Sequence, residues 1–251
     1  MLPLAPALEL YRPFSSYGLA SLTDLLPSQG DYGIRPQHSD ALESLVEAKL
    51  LKCLVIRNDL AEAALEIRNK GLYLAIAHLK TAFIGFHNLS DFETSIRLIY
   101  KDHRELSTGY ATVAPAVEFF SYLRNKFTGH LTDELLHKAI EWKPELLLTL
   151  DREHDAAVVL IYNFWILETA INSYVDPDEK HKLFDTETDF NHPPDKDRFV
   201  ETLLTTLDGA VAFLQSVEAA LKTLVTVPED NLELWKKAGL TDFAYIKGKK
   251  R

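Results

Sequence analysis

An arginine and a histidine six residues apart, Arg124 and His130, are the side chains of this sequence best suited to acid–base chemistry on an anion. Histidine changes its charge near neutral pH, so it can act as an acid or a base. Arginine stays cationic and presents a planar fork that matches two oxygens of one anionic group. Asn125 follows the arginine and can both donate and accept hydrogen bonds. These three residues are therefore the candidate catalytic residues.

An apolar helix is predicted immediately before this group. Pro115 suits its first turn, where the missing N–H costs nothing. Arg124 falls on the apolar stripe of this helix, and a guanidinium there requires a partner because its charge is costly to bury alone. The stripe is formed by four residues at helical spacing, Val117, Phe120, Leu123 and Phe127.

A turn is predicted between this helix and the next one. Gly129 is typical of the residue just past a helix end, where a left-handed backbone is easily adopted. Thr132 is expected to cap the following helix, with Asp133 and Glu134 in its first turn. A continuous helix would place His130 about 120° away from Arg124. We expect a bend after Phe127 to bring the two side chains into one cleft.

The segment RNKFTGH, residues 124–130, resembles the motif of the HEPN-domain superfamily: an arginine, a polar residue, a short spacer and a histidine. The resemblance implies an all-α bundle in which two copies of the motif form a metal-independent endoribonuclease site. Arg124 and His130 would then be catalytic and Asn125 would support them. One copy per chain implies a homodimer. The resemblance also implies a defence or toxin role, with an antitoxin or other protein as a further partner, and no cofactor.

Other interpretations of the motif remain open. The spacing recurs from Arg97 to His103, where Leu98 follows the arginine and no break is expected; we interpret this second match as accidental. Arg124 could instead be a buried arginine paired with a core carboxylate, and His130 a turn residue bonded to the backbone. A non-catalytic α-helical interaction module of the same fold is the alternative function.

Basic residues cluster around the motif although the chain carries a formal net charge of −10. That charge argues against broad binding to nucleic acid and leaves room for a local basic site. Lys126, His137 and Lys138 are the candidate substrate-binding residues, and Lys143 lies close by. The simpler interpretation is that these lysines form a solvated helix face.

The fold class is predicted to be all-α, an up-and-down bundle with long helices and a long acidic surface loop. Residues 1–37 are read as an N-terminal arm, 38–227 as the helical domain and 228–251 as a short helix with a basic tail. One very long helix or two in succession are expected over 41–87, with Gly71 and Gly85 as candidate bends, and a turn over 88–90. The acidic loop is predicted over 175–198, followed by a helix from Asp195.

Other sites receive weaker support. The single cysteine, Cys53, is expected to be a buried core residue, and no metal site is predicted. His181 and His192 have irregular spacing for a metal, and the di-iron pattern beginning at Glu134 lacks a proper second copy. Asn163, within an apolar helix, needs a hydrogen-bond partner and could support the catalytic group. No convincing signal peptide or membrane span is recognised, so the protein is expected to be cytoplasmic.

Overall fold

The computed structural model describes residues 37–152 and 155–226, and this part of the chain is all-α, as predicted. Its only β-type pairing is one isolated bridge between Val175 and His181. None of its helices is both long and apolar enough to cross a bilayer. The predicted arm up to residue 36 and the predicted tail from 228 lie outside the described residues. The α-helices are α1 (Gln37–Leu74), α2 (Ile76–Ile96), α3 (Arg104–Ala111), α4 (Ala114–Leu123), α5 (Asp133–Trp142), α6 (Ala156–Asn172) and α7 (Pro193–Lys222).

The first two helices form a hairpin that bends at Gly71, whose φ of 73° is a conformation that glycine adopts without strain. The prediction of a bend at Gly85 is wrong. Gly85 lies inside α2, where a Cβ would come within 2.6 Å of Leu60 Cδ2, so it serves the close packing of α1 on α2. The turn predicted over 88–90 is also wrong. Leu89 and Phe92 are fully buried, and their packing keeps α2 continuous through residues 88–90.

The last helix packs against the first. Cys53 is buried, as predicted, and its thiol donates to the carbonyl of Leu214 at 3.3 Å. Burial raises the pKa of Cys53 to about 12, which leaves the thiol protonated. Arg57 pairs with the buried carboxylate of Glu218. This pair is therefore part of the α1–α7 interface.

Helix α4 lies on α2 through an aromatic core. All four residues of its predicted apolar stripe are buried. The ring of Phe120 stacks on Phe86 with centroids 4.9 Å apart and on Phe83 at 5.7 Å. Phe127 meets Phe83 edge-on at 6.5 Å. The stripe fixes which face of α4 points inward, and so which residues remain near the surface.

The segment between α6 and α7 carries exposed acidic residues, but it is anchored by buried aromatic ones, Phe184 and Phe190. The backbone N–H of Phe190 donates to Glu168 on α6 at 2.9 Å. The predicted loop ends earlier than expected, because α7 begins at Pro193 rather than at Asp195. Proline is well suited to a first helical turn, which explains the earlier start.

Candidate functional site

The candidate catalytic residues lie where α4 changes into a wider helix and then ends. Residues Arg124–Gly129 form one turn of π-helix, in which backbone N–H groups bond five residues back. His130 is extended, with φ −145° and ψ 104°. Thr132 then caps α5 as predicted, its hydroxyl accepting from the N–H of Leu135 at 3.3 Å. We call residues 124–130 the corner.

The helix ends two residues later than the predicted bend after Phe127, and for a different reason. Gly129 does not have the predicted left-handed backbone, because Gly71 is the only described glycine with positive φ. Its role is steric. A Cβ on Gly129 would lie 3.2 Å from Arg124 Nη1 and 3.2 Å from the Arg124 carbonyl oxygen. The wide turn therefore lets the guanidinium lie against the Gly129 backbone.

Arg124 is half-buried, yet it lacks the acidic partner that its place on the stripe led us to expect. Its Nη1 donates to Asn125 Oδ1 at 3.0 Å. No carboxylate within residues 37–152 or 155–226 forms an ion pair with it, and its buried Nε has no hydrogen-bond partner. For the described residues, the interpretation of Arg124 as half of a core ion pair is therefore wrong.

Two hydroxyl groups near Arg124 are also unused. Ser121 precedes it by one turn and Thr128 follows it by one turn, and the buried hydroxyl oxygens of both lack a partner. In the described chain only four buried side-chain polar atoms lack one; the fourth is Arg198 Nε. Buried polar groups normally have partners. Hydrogen-bonding capacity is therefore concentrated along the side of the helix that carries Arg124.

His130 is exposed and makes no hydrogen bond with any described residue. It follows the π turn directly. No hydrogen bond or ion pair joins its ring to Arg124. The two residues therefore share one short segment without a hydrogen bond or ion pair between their side chains, and the imidazole is exposed.

The neighbouring basic residues divide into free and engaged groups. Lys126, in the π turn, makes no ion pair with a described carboxylate, and His137 is exposed on α5. Lys138 is engaged, since its Nζ lies 3.2 Å from both Glu141 oxygens and 5.0 Å from the Trp142 ring centroid. The predicted substrate-binding set is therefore not uniform.

Lys143 is not the solvated lysine that the sequence suggested. Its Nζ lies 2.7 Å from the buried carboxylate of Glu168 and 3.9 Å from Asp189. This bridge ties the end of α5 to α6 and to the segment before α7. Lys143 is therefore a structural residue of the fold.

The second arginine–histidine match is of a different kind. Arg97 forms three contacts of 2.9–3.1 Å with the buried carboxylate of Glu93, and Tyr100 also donates to that carboxylate. The helix does break between the pair, contrary to expectation, because a 3-10 turn replaces α2 from Arg97 to Lys101. Here the arginine is paired with a buried carboxylate, although its own side chain is exposed, whereas Arg124 at the corner has no described ion pair.

A further cation, which the sequence did not single out, faces the corner from α2. Lys80 Nζ lies 5.0 Å from the centroid of the Phe127 ring and 2.8 Å from Asn163 Oδ1 on α6. The Asn163 amide donates to the Val159 carbonyl at 2.8 Å, which fixes its orientation. Asn163 thus has the partner that its place in an apolar helix required. Periodicity could not reveal this contact, because it joins three separate elements.

A cleft of about 790 Å³ is lined by residues of α5, of the end of α6 and of the segment after it. Lys138, Trp142 and His181 are among the residues that line it. His181 uses both ring nitrogens on the backbone: Nε2 is 2.9 Å from the Ile171 carbonyl, and Nδ1 accepts from the N–H of Phe184 at 2.8 Å. His181 therefore has a structural role, in which it joins the end of α6 to the segment that follows it.

No three histidine, cysteine or acidic side chains converge on a metal-sized site within the described ranges. Glu134 and His137, which began the di-iron pattern, are both exposed on α5. The nearest second half of that pattern, Asp151 with His154, lies partly outside the described residues.

Comparison with known proteins gave no relative, since the chain matches no protein-family model, no curated protein and no solved structure.

Proposed function

We propose that the protein is a metal-independent, HEPN-like endoribonuclease whose site is built at the corner, with Arg124 and His130 as catalytic residues. The observation that carries the proposal is the uncompensated charge. On a chain of net charge −10, Arg124 and Lys126 have no acidic partner among the described residues. Ion pairs occupy ten other cations, Arg57, Arg68, Lys70, Arg97, Lys138, Lys143, Arg152, Lys196, Arg198 and Lys222, whereas Lys49, Lys52, Lys80, Arg104, Lys180 and Lys182 also have no described ion pair.

Two unpaired cations two residues apart favour an anionic ligand at that place on an acidic protein, because the acidic surface otherwise repels one. The guanidinium of Arg124 can hold two phosphate oxygens at once. Its bond to Asn125 and its contact with Gly129 keep it oriented before the ligand arrives. Such a preset donor stabilises charge that develops on a phosphate during the reaction.

The proposed reaction is internal transfer within RNA. The ribose 2′-oxygen forms a bond to the adjacent phosphorus while the bond from phosphorus to the 5′-oxygen of the next nucleotide breaks. His130 takes the proton from the 2′-hydroxyl, and His130 of the partner subunit gives a proton to the departing 5′-oxygen. The products are a 2′,3′-cyclic phosphate and a 5′-hydroxyl, so no oxidant or metal enters the balance. A homodimer with facing corners supplies both imidazoles.

The direct test is cleavage of mixed single-stranded RNA in excess chelator. We expect wild type to cut and to leave cyclic phosphate ends, and a substrate with 2′-deoxyribose at the cut to resist. Arg124→Ala and His130→Ala should lower the rate by at least a hundredfold, within the range for acid–base and charge stabilisation. The matched controls are Arg104→Ala and His103→Ala, which remove the same residue types elsewhere. Intact RNA with wild type, or equal rates for all variants, would refute the proposal.

A toxin or defence role is part of the same proposal. Induced expression of wild type should then stop bacterial growth, while Arg124→Ala should permit it. If both proteins slow growth equally, the toxicity does not depend on Arg124, and this part of the proposal is contradicted.

The second candidate is a non-catalytic interaction module, and one specific observation favours it. The segment before α6 exposes several apolar side chains, with Leu148 80% exposed. Exposed apolar groups in one place mark contact surfaces. Leu148→Glu should abolish self-association or partner binding under this reading. If it does so while RNA stays uncut by wild type, the interaction reading is preferred.

A further inference from the structure

Lys80 is a half-buried cation of the described chain whose charge no ion pair accounts for. It is half-buried on α2, and no described carboxylate pairs with it. An ammonium group has three N–H donors. One is directed at Asn163 Oδ1, 2.8 Å away, and the Phe127 ring lies 5.0 Å from the nitrogen. Donor capacity therefore remains for a ligand at the corner.

The surroundings of Lys80 hold its charge near the corner without cancelling it. Asn163 is neutral, and a ring face attracts a cation without supplying a negative charge. Burial lowers the pKa of Lys80, so an anion that approached it would be bound more strongly than at a hydrated surface lysine. Phe127 belongs to the π turn, three residues after Arg124 and three before His130. Lys80 therefore packs on the segment that joins the two proposed catalytic residues.

We propose that Lys80 binds a backbone phosphate of the RNA at the corner, with Asn163 as the residue that positions its ammonium group. This inference rests on the proposed function and adds to it a binding residue from a different helix. It makes the site a joint product of α2, α6 and the π turn. A structural role for Lys80, as a cover over Phe127, is the alternative that the experiment must exclude.

The experiment measures binding of a short single-stranded RNA over a range of salt concentrations, using His130→Ala protein so that the RNA stays intact. Lys80→Met keeps the length of the side chain and removes its charge. We expect affinity to fall about tenfold, the size of one charge-assisted hydrogen bond. The slope of log affinity against log salt should shrink by about 0.7, the value for one phosphate contact on a single strand.

Asn163→Asp is the sharper variant, because it leaves Lys80 in place and gives it a carboxylate. The new ion pair should neutralise the ammonium group, so RNA affinity should fall as in Lys80→Met while the folded state is kept. A purely structural Lys80 predicts the opposite, with affinity unchanged. Thermal unfolding of each variant confirms that the loss of binding is not a loss of fold.

The matched control is Lys182→Met. Lys182 also lies 5.0 Å from an aromatic ring, that of Tyr174, and has no described ion pair, but it belongs to the segment after α6. Its removal should leave affinity and salt slope unchanged. If Arg124→Ala weakens binding while Lys80→Met and Asn163→Asp do not, this inference alone is overturned. If the parent protein binds no RNA, both the inference and the proposed function are overturned.

Discussion

Arg124 donates to the side chain of Asn125, its own neighbour, rather than to any described carboxylate. The two residues are adjacent in sequence, so the bond orients the guanidinium without neutralising it. We expect Asn125→Ala to change the free energy of unfolding by less than about 0.5 kcal/mol, as for other exposed sites. RNA cleavage should fall about tenfold, because Arg124 then searches more orientations. Rate assays and chemical denaturation of the same preparation measure both effects, and an equal fall in stability would contradict the positioning role.

Gly129→Ala tests the contact between the π turn and the guanidinium. The added methyl group would lie 3.2 Å from Arg124 Nη1, so the guanidinium must move, and we expect a loss of cleavage of at least tenfold. Backbone strain is not expected, because Gly129 does not have a positive φ.

The control for that substitution is Gly109→Ala in α3, where the nearest contact of a Cβ is an ordinary 3.8 Å to Phe213. It should stabilise the protein by up to about 1 kcal/mol, because alanine is the better helix former. Cleavage by Gly109→Ala should equal that of wild type. If Gly129→Ala is also fully active, the guanidinium position is unimportant for the reaction.

His181 predicts how stability depends on pH. Burial, together with the nearby charge of Arg198, lowers the pKa of His181 below its ordinary value of 6.5, against the opposing effect of its bond to the Ile171 carbonyl. The unfolded chain therefore takes up this proton more readily than the folded one. The contribution of His181 is complete above pH 6.5 and is lost as pH falls through the folded-state pKa. Unfolding curves from pH 7.5 to 5 should show this decline.

His181→Gln should lower stability by about 2 kcal/mol at pH 7.5, since the N–H of Phe184 loses its acceptor. The decline below pH 6.5 should also become shallower. His192→Gln is the control, because His192 is exposed. A decline of the same size in His181→Gln and wild type would assign the pH effect to other groups.

Lys143 and Lys126 should respond differently to the same substitution. Lys143→Met leaves the carboxylate of Glu168 buried without its cation, and we expect a loss of about 3 kcal/mol. Lys126→Met should change stability by less than about 0.5 kcal/mol and should weaken RNA binding instead. Denaturant titration and RNA binding give the two readouts. Adding Glu168→Gln to Lys143→Met should restore part of the loss, because the unpaired charge is removed.

The sequence by itself determined the all-α class, the buried stripe of α4 and the cap at Thr132, and it offered Gly71 as one of two candidate bends. Each of these follows from interactions between residues close in the chain: helical spacing, a hydroxyl near free N–H groups, or the conformational freedom of glycine. The placement of Arg124 on that stripe was readable in the same way.

Only the tertiary structure decided which charged side chains have an ion-pair partner. From the sequence, Arg124 on the apolar stripe needed a partner and Lys143 belonged to a solvated face, yet Lys143 pairs with Glu168 and Arg124 pairs with no described acid. The polar turn expected over 88–90 became part of a continuous helix, and Lys80 met Phe127 and Asn163. The physical reason is that pairing and burial depend on which helices pack together, and that packing joins residues far apart in the chain.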